Sequence, residues 1–538
     1  MVSWVSACRL CLGFLLRDNT VVARWLRPVN RDQGCLLPAD VRSWLPPGHL
    51  AWQVLEVTGE LDLSGFVAAY RADGQGQAPY DPAMMLALVL YCYFKGIRSS
   101  RKIRDACTDD LGCLVICGGA RPSHRAVAEF IRRHRAEVRR LFVQVLGLLA
   151  AAGAVGGHCA AIDGSPVSGN ASRFANLDGE QLAARIAALE AAVAAETQAW
   201  LDGAGQADGG DVQQRLRDDQ DEDDDDGPGG GGVPRRLSAL AARLARLRAA
   251  QDTLAGRAAA PGGPDARVTA ARDALARVQE RLARAEQAQA AVMARYQAAA
   301  AAGKAWAGKK PVPAEANARI AGIRKNLATA RDRLAAAQAR AAAAVPARVS
   351  GTDPGTRLLP AKNGGGYTQG WNLELAAAWR QVLLAIELHD NPADAGALIT
   401  MIQAAAANCE LAGLGGQIRA WLADNGYASA ANFAALEHLM LLVAVTGEAA
   451  QTGRGTGGRA LPAGWEKMAA RLATPAGKNL YKRRAAQVEP AFAQLFARFG
   501  RYVNYRGRDA VDAEVKLLGA VHNIAKLLDF RQRQLATP

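Results

Sequence analysis

Aromatic side chains make up only 6% of this 538-residue sequence, so its cores must be filled by aliphatic residues and alanine. Long apolar runs are missing too. The longest uncharged apolar stretch, Met84 to Phe94, is too short to cross a bilayer as a helix, and no membrane partner is expected. The nine cysteines build no framework. Cys8 and Cys11 have C-x-x-C spacing, but no second pair follows at zinc-finger distance. Cysteine scattered in this way suits a reducing cytoplasm. The first residues are mildly apolar but interrupted by Arg9, with no cleavage site after them. A start codon assigned too early fits them as well as a signal peptide does. Also absent are G-x-S-x-G, P-loop and H-E-x-x-H signatures, which removes the common side-chain nucleophile, phosphate-cradle and zincin chemistries.

What is present is base. The formal charge is +14. A coding bias that writes arginine for lysine leaves such an excess over acid unexplained, so a polyanionic partner is expected, nucleic acid first. The length calls for about two to four domains. Residues 1–30 have no clear character. Residues 31–150 read as a helical domain. Asp81 and Pro82 form an N-cap and first-turn pair, opening a buried helix that Gly96 ends. Ser99 and Ser100 start a second helix. Ser123 caps a third, carrying Arg125, Arg132, Arg133, Arg135, Arg139 and Arg140 around Val127, Phe130, Val138 and Leu141. Three short helices ending in an arginine-laden one suit a helix-turn-helix arrangement. The plainer alternative is a solvated helix face. The density of base, little balanced by acid, favours DNA, with Arg125, Arg132 and Arg133 as contacts.

At residues 155–177 the character changes. Cys159–Ser165 reads as a short buried strand that ends in Asp163 and a turn at Gly164, a place where α/β folds put site residues. Residues 178–345 interrupt this. Leu182, Ile186, Leu189 and Val193 recur at helical spacing, as do Leu237, Leu240, Leu244 and Leu247, then Val268, Leu275, Val278 and Leu282, then Ile320, Ile323, Leu327 and Leu334. This is a coiled-coil-like insertion of long antiparallel helices, broken by an acidic, glycine-rich loop at 218–233. Acids packed as tightly as Asp218–Asp226 are more often a solvated, disordered loop than a metal site. Residues 350–530 return to α/β patterning. Gly370–Trp379 and Gln381–Leu388 suggest adjacent strands. Trp421–Asp424 is a strand running into a turn at Gly426, and Leu439–Val445 is a fully apolar strand. A basic loop follows, with Arg454, Arg459 and Lys478, and then a helix bearing Glu489. Leu517–Leu528 patterns as an amphipathic helix.

With the insertion removed, the order is strand, strand, strand, helix, strand, helix, strand, helix. Acids fall on the first strand (Asp163), after the fourth (Asp424) and on the last helix (Glu489). A mixed sheet of this order sets two strand-end carboxylates side by side and lets a helix supply the third, as a ribonuclease-H-like domain requires. Three converging carboxylates repel unless a cation joins them. Mg²⁺ prefers oxygen ligands, and two such ions support in-line displacement at phosphorus. On spacing alone this triad is weak, because any one acid serves equally well as a cap or surface group.

Motifs spread along the chain strengthen it. Arg31–Pro38, Tyr80–Pro82 and Tyr91–Ile103 resemble the N-terminal domain of bacterial insertion-sequence transposases. Ile162–Ser165, Thr352–Pro354, Gln369–Asn372, Ala423–Tyr427 and Arg484–Phe492 resemble, in order, the catalytic part of the same family. The resemblance implies a ribonuclease-H-like (retroviral-integrase-like) DDE domain with an all-α DNA-binding domain before it. It puts the catalytic, metal-binding triad on Asp163, Asp424 and Glu489, with Mg²⁺ as cofactor (two ions, Mn²⁺ able to substitute). It also implies DNA contacts from Tyr481, Arg483 and Arg484. The family usually carries a glycine and a lysine after the glutamate. Ala493 and Phe496 stand there in this chain, and Arg498 is the expected replacement for the lysine. The implied partners are double-stranded DNA, both element ends and target, and a second copy of the chain, in a cytoplasmic, nucleoid-associated protein. Two other readings remain. One is a transposase-derived DNA-binding repressor without catalysis. The other is a structural coiled-coil protein, which leaves the α/β segments unexplained.

Overall fold

The structure, a computed structural model, describes residues 40–71, 78–204, 235–259, 264–342, 347–360, 366–389, 396–445 and 463–536. Residues 1–30, the Arg31–Pro38 motif, Cys8 and Cys11, the 218–233 loop, Arg454 and Arg459 lie outside these. The chain divides into two units. One combines Met1–Asn170 with Leu358–Pro538, and the other is Ala171–Arg357.

The first unit begins with helices α1 (Leu50–Glu60), α2 (Pro82–Phe94), α3 (Ser100–Asp109), α4 (Leu111–Cys117), α5 (His124–Arg133) and α6 (Arg135–Ala151). Helix α2 starts as its sequence dictates. The Asp81 carboxylate accepts from the Ala83 amide at 3.0 Å, and Pro82 fills the first turn. Every residue from Met84 to Tyr93 is buried, so this helix has no wet face and forms the centre of the helical region. Ser123 caps α5 through the Ala126 amide at 3.1 Å.

The arginine-laden helix is two helices. It breaks at His134, whose ring packs against Phe66, Phe130 and Tyr70 at centroid distances of 5.0, 4.8 and 5.4 Å. Turning this ring inward takes the backbone out of the helical region (ψ 23°). The arginines are also not unbalanced, contrary to expectation. Arg132 and Arg133 pair with Glu129 at 2.6 and 3.1 Å. Arg135 reaches Asp509 at 3.1 Å, and Arg139 reaches Asp512 at 2.6 Å as well as Asp509. Arg140 pairs with Glu137 at 2.7 Å. Much of this base ties α6 to the C-terminal helix. Arg125 is exposed.

Strand β1 (Cys159–Ser168) follows, and the chain then enters the second unit. There β2 (Asn176–Leu177) pairs with β3 (Val349–Ser350), and the described residues between them in sequence include α7 (Gly179–Ala204), α8 (Arg235–Ala259), α9 (Pro264–Ala301) and α10 (Ala318–Ala342). Helices α7 and α8 run antiparallel, as the pairs Glu190–Arg248 and Glu196–Arg236 show. Leu182, Ile186, Leu244 and Leu247 are buried between them. Helices α9 and α10 form a second antiparallel pair, joined by Glu286–Arg324 at 2.8 Å. Trp200 is 39% exposed and contributes little to this packing.

Back in the first unit come β4 (Arg357–Pro360), β5 (Tyr367–Ala377), β6 (Leu383–His389), α11 (Leu398–Leu411), β7 (Ala420–Ala423), α12 (Ala430–Ala435), β8 (Met440–Val443), α13 (Trp465–Ala473), α14 (Pro475–Tyr481), α15 (Arg483–Phe499) and α16 (Arg508–Ala536). The sheet is mixed. Its path is β4-β5-β1-β7-β8, with β6 also paired to β5. β5 runs antiparallel to β1 and β6 antiparallel to β5, while β7 and β8 run parallel to β1. Two details depart from expectation. β1 does not end at Asp163 but continues to Ser168, because β5 keeps pairing with it through Ser168↔Gly370. Helix α16 is longer than its apolar pattern, and Glu514, Lys516, His522 and Asn523 are buried along with its aliphatic residues.

Candidate active site

The site forms where β1 and β7 part. Their parallel register pairs Ala161 with Leu422. Two residues further along each strand stand Asp163 and Asp424. Because side chains alternate with a period of two, both carboxylates leave the same side of adjacent strands, which lie about 4.8 Å apart. Asp163 is partly buried, and one of its oxygens accepts from its neighbour, the Gly164 amide, at 2.9 Å. Asp424 follows the last residue of β7 and caps a single 3₁₀ turn, accepting from the Gly426 amide at 2.8 Å. Tyr427, fully buried, closes this turn and donates to the Glu374 carboxylate on β5.

Helix α15 lies against β1. Gln487 donates to the Cys159 carbonyl at 3.4 Å, and Val488, Ala491, Phe492 and Leu495 bury its inner face. Glu489 is on the outer side, 61% exposed. The next residue, Pro490, has no N–H to give to Ala486, four residues back. The Gln381 amide fills that gap, donating to the Ala486 carbonyl at 3.2 Å. Gln381 and Arg380 both adopt positive φ, 60° and 59°, a costly conformation for residues with a Cβ. The Gln381 carbonyl accepts from His522 Nε2 at 2.8 Å.

Arg484 joins the parts. Its guanidinium lies 3.7 Å from Asp163 and 3.8 Å from Glu489. These are ion contacts, too long for hydrogen bonds, and its buried Nη1 makes no hydrogen bond among the described residues. Tyr481 donates to the Ala423 carbonyl at 3.1 Å, beside Asp424. Burial raises the pKa of its phenol; Arg484 opposes that rise and Asp424 adds to it. Arg483 is exposed.

Among the described residues, no three His, Cys, Asp or Glu side chains stand close enough together to hold a metal ion. The donor set nevertheless fits Mg²⁺ in kind, being three carboxylates with hard oxygens. The Arg484 guanidinium already stands between Asp163 and Glu489, and Glu489 is the more exposed of those two acids.

Phe496, in the place of the family's lysine, stacks on Phe492 with centroids 5.5 Å apart. Arg498 does not replace that charge beside the triad. It lies over Phe94, 5.0 Å from the ring centroid. Arg501 instead stacks on Phe496 at 4.3 Å and reaches the Ser165 hydroxyl at 3.3 Å. Ser165 is two residues from Asp163 and on the same face of β1. Sequence reasoning missed both Arg501 and Gln381. Arg501 lies twelve residues past Glu489, in a loop without periodicity, and only the third dimension connects Gln381 to α15.

Two family models match the chain. One, described as "Transposase domain (DUF772)", matches residues 39–133, and the other, "Transposase DDE domain", matches residues 460–528. In this order on one chain they indicate an insertion-sequence DDE transposase, and the second implies a ribonuclease-H-like catalytic fold. Glu489 falls within the second match, whereas Asp163 and Asp424 lie between the two. No curated protein and no solved structure matches the chain. Among the described residues no helix is long and apolar enough to cross a membrane.

Proposed function

We propose that this transposase binds the terminal inverted repeats of its own element, hydrolyses phosphodiester bonds at the ends, and transfers the freed 3′-hydroxyls to target DNA in a Mg²⁺-dependent reaction. What supports the reading is Arg484, whose guanidinium lies 3.7 Å from Asp163 and 3.8 Å from Glu489, together with Tyr481, which donates to the Ala423 carbonyl beside Asp424. When bound, the metal would activate the attacking oxygen and offset charge on the leaving one. Asp163 and Asp424, fixed by their own backbone caps, would hold it, and Glu489 would turn in to complete the set. Arg484, released from the carboxylates, would move its fork onto a phosphate oxygen. Arg501 would supply the charge that the lysine supplies in the family. Tyr481 and the exposed Arg483 would border the strand being cut. Arg125 would contact the duplex from α5, and Arg132 and Arg133 would have to leave Glu129 to do the same. The chain would act in the nucleoid as a dimer on DNA, with the hairpins α7–α8 and α9–α10 as coiled-coil-like arms.

The test is incubation of the protein with a labelled duplex carrying an element end, with Mg²⁺. Nicks at the element boundary that leave 3′-hydroxyls are expected. Tight binding of that end without any nick, in Mg²⁺ or Mn²⁺, would favour a transposase-derived repressor instead. The replacement of the family's lysine by Phe496 gives that second reading its one specific support.

A further inference from the structure

A cleft of about 560 Å³ opens on the first unit where the end of α2, the last turns of α15 and the middle of α16 meet. Phe94, Lys95, Gln494, Arg498, His522 and Lys526 line it. Its floor is fixed. Gly96 (φ +76°) brings the end of α2 so close to α15 that a Cβ there would stand 3.0 Å from the Arg498 carbonyl.

Its charge is one-sided. Arg498 lies over the Phe94 ring and makes no ion pair or hydrogen bond among the described residues. Among the described residues Lys526 donates only to a neutral group, the Gln381 side-chain oxygen at 3.1 Å. The nearby acids are engaged elsewhere: Asp110 by Lys95, and Asp529 by Arg533 at 3.0 Å. Burial lowers the pKa of both Arg498 and Lys526; for Lys526 the Asp529 carboxylate opposes that fall, and Arg533 and Arg498 add to it. Half-buried cations held in no ion pair are costly, and an anion entering the cleft reduces that cost. A guanidinium fork beside an ammonium suits the oxygens of a phosphate group. His522 is neutral at physiological pH, with burial lowering its pKa to about 4.

We infer that this cleft is a phosphate-binding site, in which Arg498 and Lys526 grip one phosphate group with Lys95 at the rim. The inference rests on the transposase reading for the source of that group, a backbone phosphate of bound DNA. Arg498 follows Glu489 by nine residues, about 13 Å along a helix axis. Nine residues are also about two and a half turns, so Arg498 faces the opposite side of α15 from Glu489, and the phosphate it takes belongs to a stretch of duplex other than the one beside Glu489.

The test uses the full chain, the double variant Arg498→Gln/Lys526→Gln, and the charge-preserving Arg498→Lys/Lys526→Arg. Duplex affinity is measured against salt, and melting is followed in inorganic phosphate against chloride at matched ionic strength. The double Gln variant is expected to lower the slope of log affinity against log salt by about two and to lose stabilisation by phosphate. The charge-preserving variant should keep both, which separates lost charge from lost folding. Loss of the phosphate effect with an unchanged slope would support the site but make free phosphate its ligand. An unchanged slope with the phosphate effect intact would overturn the inference while leaving the transposase reading in place. If the unaltered chain binds no DNA, that reading fails, and the phosphate arm alone decides the cleft.

Discussion

Arg484 is the residue on which the candidate site turns. It stands between two acids at ion-contact distance without a hydrogen bond to either, so it neutralises them and remains displaceable. Arg484→Ala should therefore reduce cleavage by at least tenfold while strengthening Mn²⁺ binding, measured by titration of the DNA-free protein. Weaker Mn²⁺ binding would mean that the arginine orders the carboxylates instead of competing for their space. His522 gives a pH test at the same scale. Its ring is fully buried and its pKa lies near 4, against 6.5 for the free side chain. The unfolded chain therefore takes up a proton first as pH falls. Stability contributed by the neutral ring is complete above about 6.5 and declines toward pH 4, by up to roughly 3 kcal/mol. Urea unfolding at pH 7 and pH 5 should show this loss, and His522→Gln should flatten it.

At the scale of elements, α15 carries the third acid past a proline. The carbonyl that Pro490 strands is met by Gln381, from a strained turn between β5 and β6. Gln381→Ala should cost about 1 kcal/mol of stability and lower the cleavage rate more than DNA affinity. Equal losses in both would reduce Gln381 to a folding role. The strands around Asp163 and Asp424 were legible in the sequence, because short apolar runs ending in an acid and a glycine have few other readings. The extension of β1 to Ser168 was not, since only its distant partner β5 makes Pro166, Val167 and Ser168 extended. The break at His134 was hidden because its cause is a cage of rings, two of which, Phe66 and Tyr70, lie far back in the sequence. The arginines of α6 looked unbalanced because Asp509 and Asp512 lie more than 350 residues away in sequence. Nothing in the sequence could show that a guanidinium would stand between Asp163 and Glu489.

At the scale of the molecule, Ala171–Arg357 forms a separate compact unit inserted between β1 and the rest of the sheet, with its own small core of Leu182, Ile186, Leu244 and Leu247. The first unit keeps a continuous core running from α2 through the sheet to α16. Replacing residues 171–357 by a short linker should leave a cooperative melt and salt-dependent duplex binding, seen by circular dichroism and fluorescence anisotropy. Loss of cooperative folding would show that the arms are part of the scaffold. The central claim is that Asp163, Asp424 and Glu489 work as one site, and Asp424 tests it best, because its turn is outside both family matches. The decisive measurement is Mg²⁺-dependent cleavage of an element-end duplex by the unaltered chain and by Asp424→Ala. The account predicts that the variant binds the duplex with unchanged affinity and leaves it uncut. Normal cleavage by Asp424→Ala would contradict it.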